Sequence, residues 1–359
     1  MTQESASASG TEDVLISVEG RTGRIRLNRP KAIHALTHDM CSAMIAALTG
    51  WATDESIDLV MIDHAEGRGF CAGGDIRMLA ESAAADGAAA RAFFHEEYRL
   101  NHLLFTYAKP TIAFMDGITM GGGVGISQPC AIRIVTDRTV YAMPETGIGL
   151  FTDVGGGWYL SRMPGRTGHY VGLTGARLNG AECLATALGT HYVAADDVEA
   201  LKTAILGNPR AIDAALRSAV TAVPPAPILD RKADIDRLFA SDRYEDILAA
   251  LAADGGEWAL ATLKTLETKS PQTCKVVLRL LAEAARIDDF AIEMAMEYAV
   301  AARVIARPDF VEGVRALIVD KDGAPRWNPA TAAAVEESDI DAIFAPLPSA
   351  EAWTPLPNA

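Results

Sequence analysis

Apolar positions follow two rhythms along this chain. In the first part they alternate, or run together for only a few residues, as in strands. Residues 14–18 and 23–27 alternate like the arms of a hairpin, with Gly20-Arg21-Thr22-Gly23 as the turn. Pro30 closes the second arm. Thr37 is placed to cap a helix in which Met40, Met44, Ala47, Leu48 and Trp51 recur at helical spacing. Residues 59–63 predict a short buried strand and 67–74 a loop. Residues 88–107 predict a helix with Phe93, Phe94, Leu100, Leu103 and Leu104 on its apolar side, and 111–115 another strand. Residues 117–125 read as a glycine loop that opens a helix, and 132–135 and 140–143 as strands. Strands alternating with helices predict an α/β layout of repeated β-β-α units.

Beyond about residue 158 the strand pattern nearly vanishes. Residues 181–188 and 196–206 read as helices, and Val223-Pro224-Pro225-Ala226-Pro227 as a linker. After it, 235–239, 244–251, 258–268, 273–286 and 289–305 are helical by pattern, with Ser270-Pro271 as a helix start. The expected organisation is a disordered tail at 1–12, a catalytic core at 13–222 and a mostly helical C-terminal region at 223–359, without internal repeats.

The chain has 359 residues, half of them hydrophobic, enough for one large domain and a smaller one. Charged residues make up 22%, a globular composition. The formal net charge is -15, and no basic run or aromatic-basic stripe offers a nucleic-acid surface. An anionic small molecule remains compatible, because backbone N–H groups and a few cations can hold phosphates. Five scattered cysteines without a CxxC pair predict free thiols in a reducing compartment. The start lacks a signal-peptide pattern, and no apolar run reaches membrane-spanning length. The cytoplasm is the expected location. The seven histidines form no ligand spacing with acids or cysteines, so no metal is expected.

Candidate chemistry concentrates between Met143 and Gly157. Glu145 and Asp153 stand eight positions apart in a run too rich in glycine to be one helix. Two acids on a loop can share a site, one as nucleophile or base and one as proton handler. Upstream lie two glycine loops, each after a strand: Gly69-Phe70-Cys71-Ala72-Gly73-Gly74-Asp75-Ile76, and Asp116-Gly117-Ile118-Thr119-Met120-Gly121-Gly122-Gly123-Val124-Gly125. The second is expected to leave free N–H groups at a helix start, which stabilise a negative oxygen. Two such groups from separate loops make an oxyanion hole, in which one donor is worth roughly 3 kcal/mol. Neither loop fits a dinucleotide or phosphate-loop fingerprint.

Asn28-Arg29-Pro30-Lys31-Ala32, Phe70-Cys71-Ala72-Gly73-Gly74-Asp75, Gly121-Gly122-Gly123 and Pro144-Glu145, in that order, resemble the crotonase (enoyl-CoA hydratase/isomerase) superfamily. Further segments resemble its 3-hydroxyisobutyryl-CoA hydrolase branch. These are Phe94-His95-Glu96-Glu97-Tyr98, Asp153-Val154-Gly155-Gly156, Asp309-Phe310-Val311-Glu312-Gly313-Val314-Arg315-Ala316, Asp320-Lys321-Asp322 and Pro325-Arg326-Trp327. The resemblance implies a β-β-α superhelix that binds acyl-CoA, with the N–H groups of Gly74 and Gly122 on the thioester oxygen. It implies that Glu145 and Asp153 are catalytic. It places Glu97, Gly122, Glu145, Asp153, Ala35, Asp75 and Ile76 at the substrate. The implied reaction is hydrolysis of a short 3-hydroxyacyl-CoA in valine breakdown, with CoA arriving as part of the substrate and no other cofactor. The alternative is hydration or isomerisation of a short enoyl-CoA. Hydratases of the family use a second glutamate where this chain has Gly125, so a two-carboxylate hydration lacks one acid. Relatives often form homo-oligomers, and one is possible here. Two positions depart from the branch: Thr152 replaces a proline, and His34 an asparagine.

Some features carry a plainer structural reading, which for Glu97 stands beside the site role. Glu97 sits beside Glu96, as acids on a solvated helix face do. Asp75 is placed to cap or order its loop. Cys71 reads as a small buried residue and not a thiol nucleophile. Asp320 to Asp322 resembles a fragment of a calcium loop without its remaining ligands.

Overall fold

A computed structural model of the chain describes residues 11–219 and 221–357. All but the last two residues of the expected tail at 1–12 lie outside them. The strands are, in chain order, β1 (Val14–Glu19), β2 (Thr22–Leu27), β3 (Leu59–His64), β4 (Gly69–Cys71), β5 (Thr111–Met115), β6 (Ile118–Met120), β7 (Ile132–Val135), β8 (Val140–Ala142), β9 (Leu178–Asn179) and β10 (His191–Tyr192). They form a six-stranded sheet of order β1-β2-β3-β5-β7-β10 and a four-stranded sheet of order β4-β6-β8-β9. The β1–β2 hairpin is antiparallel, with Val14 opposite Leu27. The strands from β2 to β10 in the large sheet pair in parallel.

The topology shows the repeating unit. In β3/β4, β5/β6 and β7/β8 the first strand enters the large sheet and the second enters the small one. Each small-sheet strand therefore ends beside the others, and the loops that follow β4, β6 and β8 converge. These second strands are each three residues long. That is why β4 and β6 read as parts of glycine loops in the sequence.

Alternation along the large sheet divides its side chains between two layers. Val60, Ile62, Ala113, Met115 and Val135 join the main core, while Leu59, Met61, Ile112, Phe114 and Ile134 pack against Val198, Leu201, Ile205 and Leu216 on the other face. Both faces are covered, which explains the near-continuous apolar runs of these parallel strands. Thr37 caps the helix His38–Ala52 by accepting from the Met40 N–H at 3.3 Å. Ser270 caps Pro271–Ala284 by accepting from the Thr273 N–H at 3.2 Å.

The C-terminal helices Tyr244–Asp254, Glu257–Leu266, Pro271–Ala284 and Phe290–Val304 share one hydrophobic core with the sheets, running from Val14 to Trp353. The helix Pro308–Val314 presses on the segment that carries Glu145. Gly149, at φ 70°, abuts the Asp309 backbone, and Gly313 abuts the Ile148 carbonyl; a β-carbon at either would collide there. A π-helical turn follows at Arg315–Val319. Asp320 and Asp322 each accept from Arg315 Nη1 at 2.7 Å, so their carboxylates are spent on an ion pair.

Candidate active site

The β4 loop is gripped from both sides by Leu36. The Leu36 N–H donates to the Gly73 carbonyl at 2.7 Å, and the Leu36 carbonyl accepts from the Asp75 N–H at 3.0 Å. Gly73 makes the bend at φ 116°, a conformation that favours glycine. Asp75 then caps the helix Ile76–Ala83 by accepting from the Met78 N–H at 3.3 Å. After β6, Gly121 at φ 48° opens the helix Gly122–Ser127. Among the described residues, neither the Gly74 nor the Gly122 N–H has an acceptor. A β-carbon on Gly122 would come within 3.3 Å of the Gly73 carbonyl carbon, so the two loops meet back to back.

Three acids converge on these amides. Glu145 begins a 3-10 turn, Glu145–Ile148, after β8. A β-carbon on Gly121 would lie 3.3 Å from Glu145 Oε1, and one on Gly122 would collide with Glu97 Oε1. Glu97 comes from the helix Ala88–Phe105. Its neighbour Glu96 points elsewhere, accepting from the Ser42 hydroxyl at 2.9 Å, so the helical turn divides the two acids. Asp153 accepts from the Tyr98 hydroxyl at 2.8 Å. Glu97, Glu145 and Asp153 are all buried, and Glu97 Oε1 and Glu145 Oε2 have no hydrogen-bond partner among the described residues.

Gly74, Gly122, Glu97, Glu145, Asp153 and Ile76 line one cavity of about 190 Å³, with Leu79, Phe93, Phe94, Leu150 and Ile318 as its apolar wall. That volume is below the roughly 300–1,000 Å³ of drug-sized sites and suits a short acyl group. Ala35 and Asp75 stand off its wall. Both are held by Arg29, whose Nη1 donates to the Ala35 carbonyl at 2.8 Å and whose Nη2 donates to Asp75 Oδ2 at 2.9 Å.

Burial raises the proton affinity of every acid in the cavity. It holds Glu145 well above the usual carboxylate range, and the Asp153 charge adds to this against Lys269. Glu97 is raised by burial and then by Asp153. Asp153 is pushed up to about 7 by burial, opposed by the Tyr98 hydroxyl. Cys71 lies in the oxyanion loop, but burial pushes its thiol up to about 12, which keeps it protonated.

The two departures from the branch pattern have local explanations. His34 sits at φ 55°, a left-handed position where Asn and His are both enriched. Its Nδ1 accepts from the Arg29 N–H at 2.9 Å and its Nε2 donates to the Glu66 carbonyl at 2.8 Å, which assigns a neutral ring. Thr152 is fully buried inside a tight turn in which the Asp153 N–H donates to the Phe151 carbonyl at 2.9 Å. The next residue, Val154, is β-branched yet held at φ 57°. Such a conformation costs about 1–3 kcal/mol and persists only where its surroundings over-determine it.

Sequence reasoning missed three contributors. Tyr98 stands in the sequence only as the last residue of the segment from Phe94. Ile318 belongs to the C-terminal π-helical turn and reaches the cavity from far along the chain. Glu297, with Glu293 one turn earlier, lies on the buried face of Phe290–Val304. Two acids four apart among Met294, Tyr298 and Val300 were a readable signal.

Glu293 is fully buried and pushed up to about 7, chiefly by burial. An acid whose folded pKa exceeds its unfolded value of about 4.3 contributes stability that is lost as pH rises between the two. Glu293→Gln is therefore expected to be more stable than wild type at pH 8, by on the order of 2 kcal/mol. The gap should close towards pH 4. Urea denaturation at both pH values reads it, and a constant difference would refute the assignment.

The sequence matches the model of the enoyl-CoA hydratase/isomerase family over residues 22–344. The chain belongs to this family. It is 41% identical over 351 residues to the mitochondrial 3-hydroxyisobutyryl-CoA hydrolase of Danio rerio, covering 95% of this chain and 91% of that one. It is 36% identical over 356 residues to the human protein of the same name, covering 97% and 92%. The crystal structure of a carnitinyl-CoA dehydratase from Mycobacterium thermoresistibile is similar at TM-score 0.91 and 41% identity, covering 94% of this chain and 98% of that one. This crotonase family membership accounts for the two sheets and the paired glycine loops. The expected cytoplasmic location is overturned by the vertebrate relatives, which are named mitochondrial. That expectation rested on free thiols and on the lack of a secretory signal pattern or membrane-spanning run, and none of these separates one reducing compartment from another.

Proposed function

We propose that this enzyme hydrolyses a short 3-hydroxyacyl-CoA thioester, 3-hydroxyisobutyryl-CoA, to the free hydroxy acid and CoA, a step of valine breakdown. One observation carries the reading: two free amides, of Gly74 and Gly122, share a small cavity with Glu145 and Asp153. The amides hold the thioester oxygen and stabilise the negative charge that grows on it. Glu145 either attacks the carbonyl carbon, expelling CoA thiolate and leaving a mixed anhydride that water cleaves, or takes a proton from the attacking water. Asp153, oriented by Tyr98, handles the second proton and returns one to the leaving thiolate. Glu97 accepts from the substrate β-hydroxyl. CoA enters as part of the substrate, and no further cofactor takes part.

Hydration fits this cavity less well. A β-carbon on Gly125 would lie 2.7 Å from both Asn101 Nδ2 and Val154 Cβ, so no glutamate can be accommodated at that position without displacing the Asp153 turn. The test is thiol release by purified protein. CoA liberated from 3-hydroxyisobutyryl-CoA, with crotonyl-CoA left unhydrated, supports the proposal. Loss of crotonyl absorbance without CoA release would replace it with hydration.

A further inference from the structure

The strained turn that carries Asp153 is held by a carboxylate from far along the chain. Glu297 Oε2 accepts from the Gly155 N–H at 2.7 Å and Oε1 accepts from the Gly157 N–H at 3.0 Å. The intervening Gly156 N–H donates to the Asp153 carbonyl at 2.8 Å. Three consecutive amides are thereby fixed, two by Glu297 and one by Asp153 itself. Val154 at φ 57° and Gly155 at φ 85° lie inside this clamp. The other fixed point of Asp153 is the Tyr98 hydroxyl, so its carboxylate and its backbone are anchored on different elements.

From this geometry we infer that Glu297 is a positioning residue for hydrolysis: through both carboxylate oxygens it sets the Asp153 turn, and so aims the Asp153 carboxylate at the reacting carbonyl. The inference rests on the hydrolase reading above. It gives the C-terminal helical region a part in the chemistry without touching the substrate.

The charged state of the clamp follows from its neighbours. Glu293 lies on the same helix, and two adjacent buried carboxyls do not both ionise. Glu297 receives two N–H donors, which favour its ionised form, while Glu293 has no partner on either oxygen among the described residues. Burial and then the Glu293 charge raise the Glu297 proton affinity well above the usual carboxylate range, and the two N–H bonds, one on each oxygen, oppose this and favour the ionised form of the clamp. The other titratable or charged groups facing the pair are Asp153 on the turn, Tyr98 from Ala88–Phe105, Tyr159 and Arg162 at the Gly156–Ser161 helix, and Glu283 from Pro271–Ala284. Arg162 is the cation among them.

Glu297→Gln keeps the size but turns an amide NH₂ towards one N–H donor, so at least one anchor is lost. A misplacement of about 1 Å can cost 10²-fold in rate. The expected result is a kcat lower by roughly 10- to 100-fold with KM within about threefold of wild type. Removing a nearby negative charge should also shift the acid limb of the pH–rate profile to lower pH. Glu297→Asp keeps the charge but reaches only one amide, and should show an intermediate loss. It carries the same test if Glu297→Gln does not fold. Melting temperatures of all variants are measured alongside. A lower melting temperature with unchanged kcat per folded protein and an unmoved pH profile would reduce Glu297 to a structural role and overturn the inference. The two readings fail separately. If wild type releases no CoA, the hydrolase reading falls. If wild type turns over and Asp153→Asn does not, yet the Glu297 variants match wild type, only the clamp falls.

Discussion

Glu145→Gln should reduce CoA release from 3-hydroxyisobutyryl-CoA by at least roughly 10³-fold, the scale expected when a nucleophile or general base is removed. The substitution preserves volume in a cavity of about 190 Å³, so packing around it should survive. It also removes the ionisable form of a buried carboxyl that sits against Gly121 and carries an unpartnered oxygen. Because the Gly74 and Gly122 amides remain, binding should persist and the loss should fall on kcat. Isotope labelling of the wild-type enzyme separates the two routes. In a single turnover in ¹⁸O-water, a mixed anhydride leaves label in the Glu145 carboxylate when water attacks the protein side, and the base route leaves none. A Glu145→Gln enzyme retaining more than a tenth of wild-type kcat would remove Glu145 from the chemistry.

Asp153→Asn is expected to lower kcat by on the order of 10²–10³-fold, the usual worth of a positioned proton-transfer group. The asparagine oxygen can still accept from Tyr98, so the turn should hold. Its signature lies in the pH dependence. In wild type, Asp153 is pushed up to about 7, so activity that needs its ionised form should fall as pH drops below about 7 and not near 4. The Asp153 charge is also the second cause of the raised proton affinity of Glu145. Without that charge Glu145 should ionise more easily, and the residual activity of Asp153→Asn should persist to lower pH than in wild type. The two acids titrate as a coupled pair, and the profiles report the pair. Identical acid limbs for the two proteins would refute the coupling.

The parts of the fold governed by local pattern were readable in the chain. The hairpin, the capped helix after Thr37 and the start at Ser270-Pro271 each rest on neighbours within a few residues. The small sheet was not readable, because β4, β6 and β9 are too short to show a period and only non-local pairing makes them strands. At the site, the glycine loops and the two acids were legible because their spacing is local. Ala35 and Asp75, grouped with the substrate by resemblance, lie outside the cavity lining and are held by Arg29. The roles of Tyr98, Glu297 and Ile318 were not readable for one reason: each acts on a residue at least 55 positions away, and only the packed core brings them there.

The most direct test of the central claim is a crystal structure of Glu145→Gln with 3-hydroxyisobutyryl-CoA bound. The account predicts the thioester oxygen at about 2.7–3.1 Å from both the Gly74 and the Gly122 nitrogens, with Asp153 facing the carbonyl carbon. A thioester oxygen out of reach of those amides, or an acyl group outside the cavity, would contradict it.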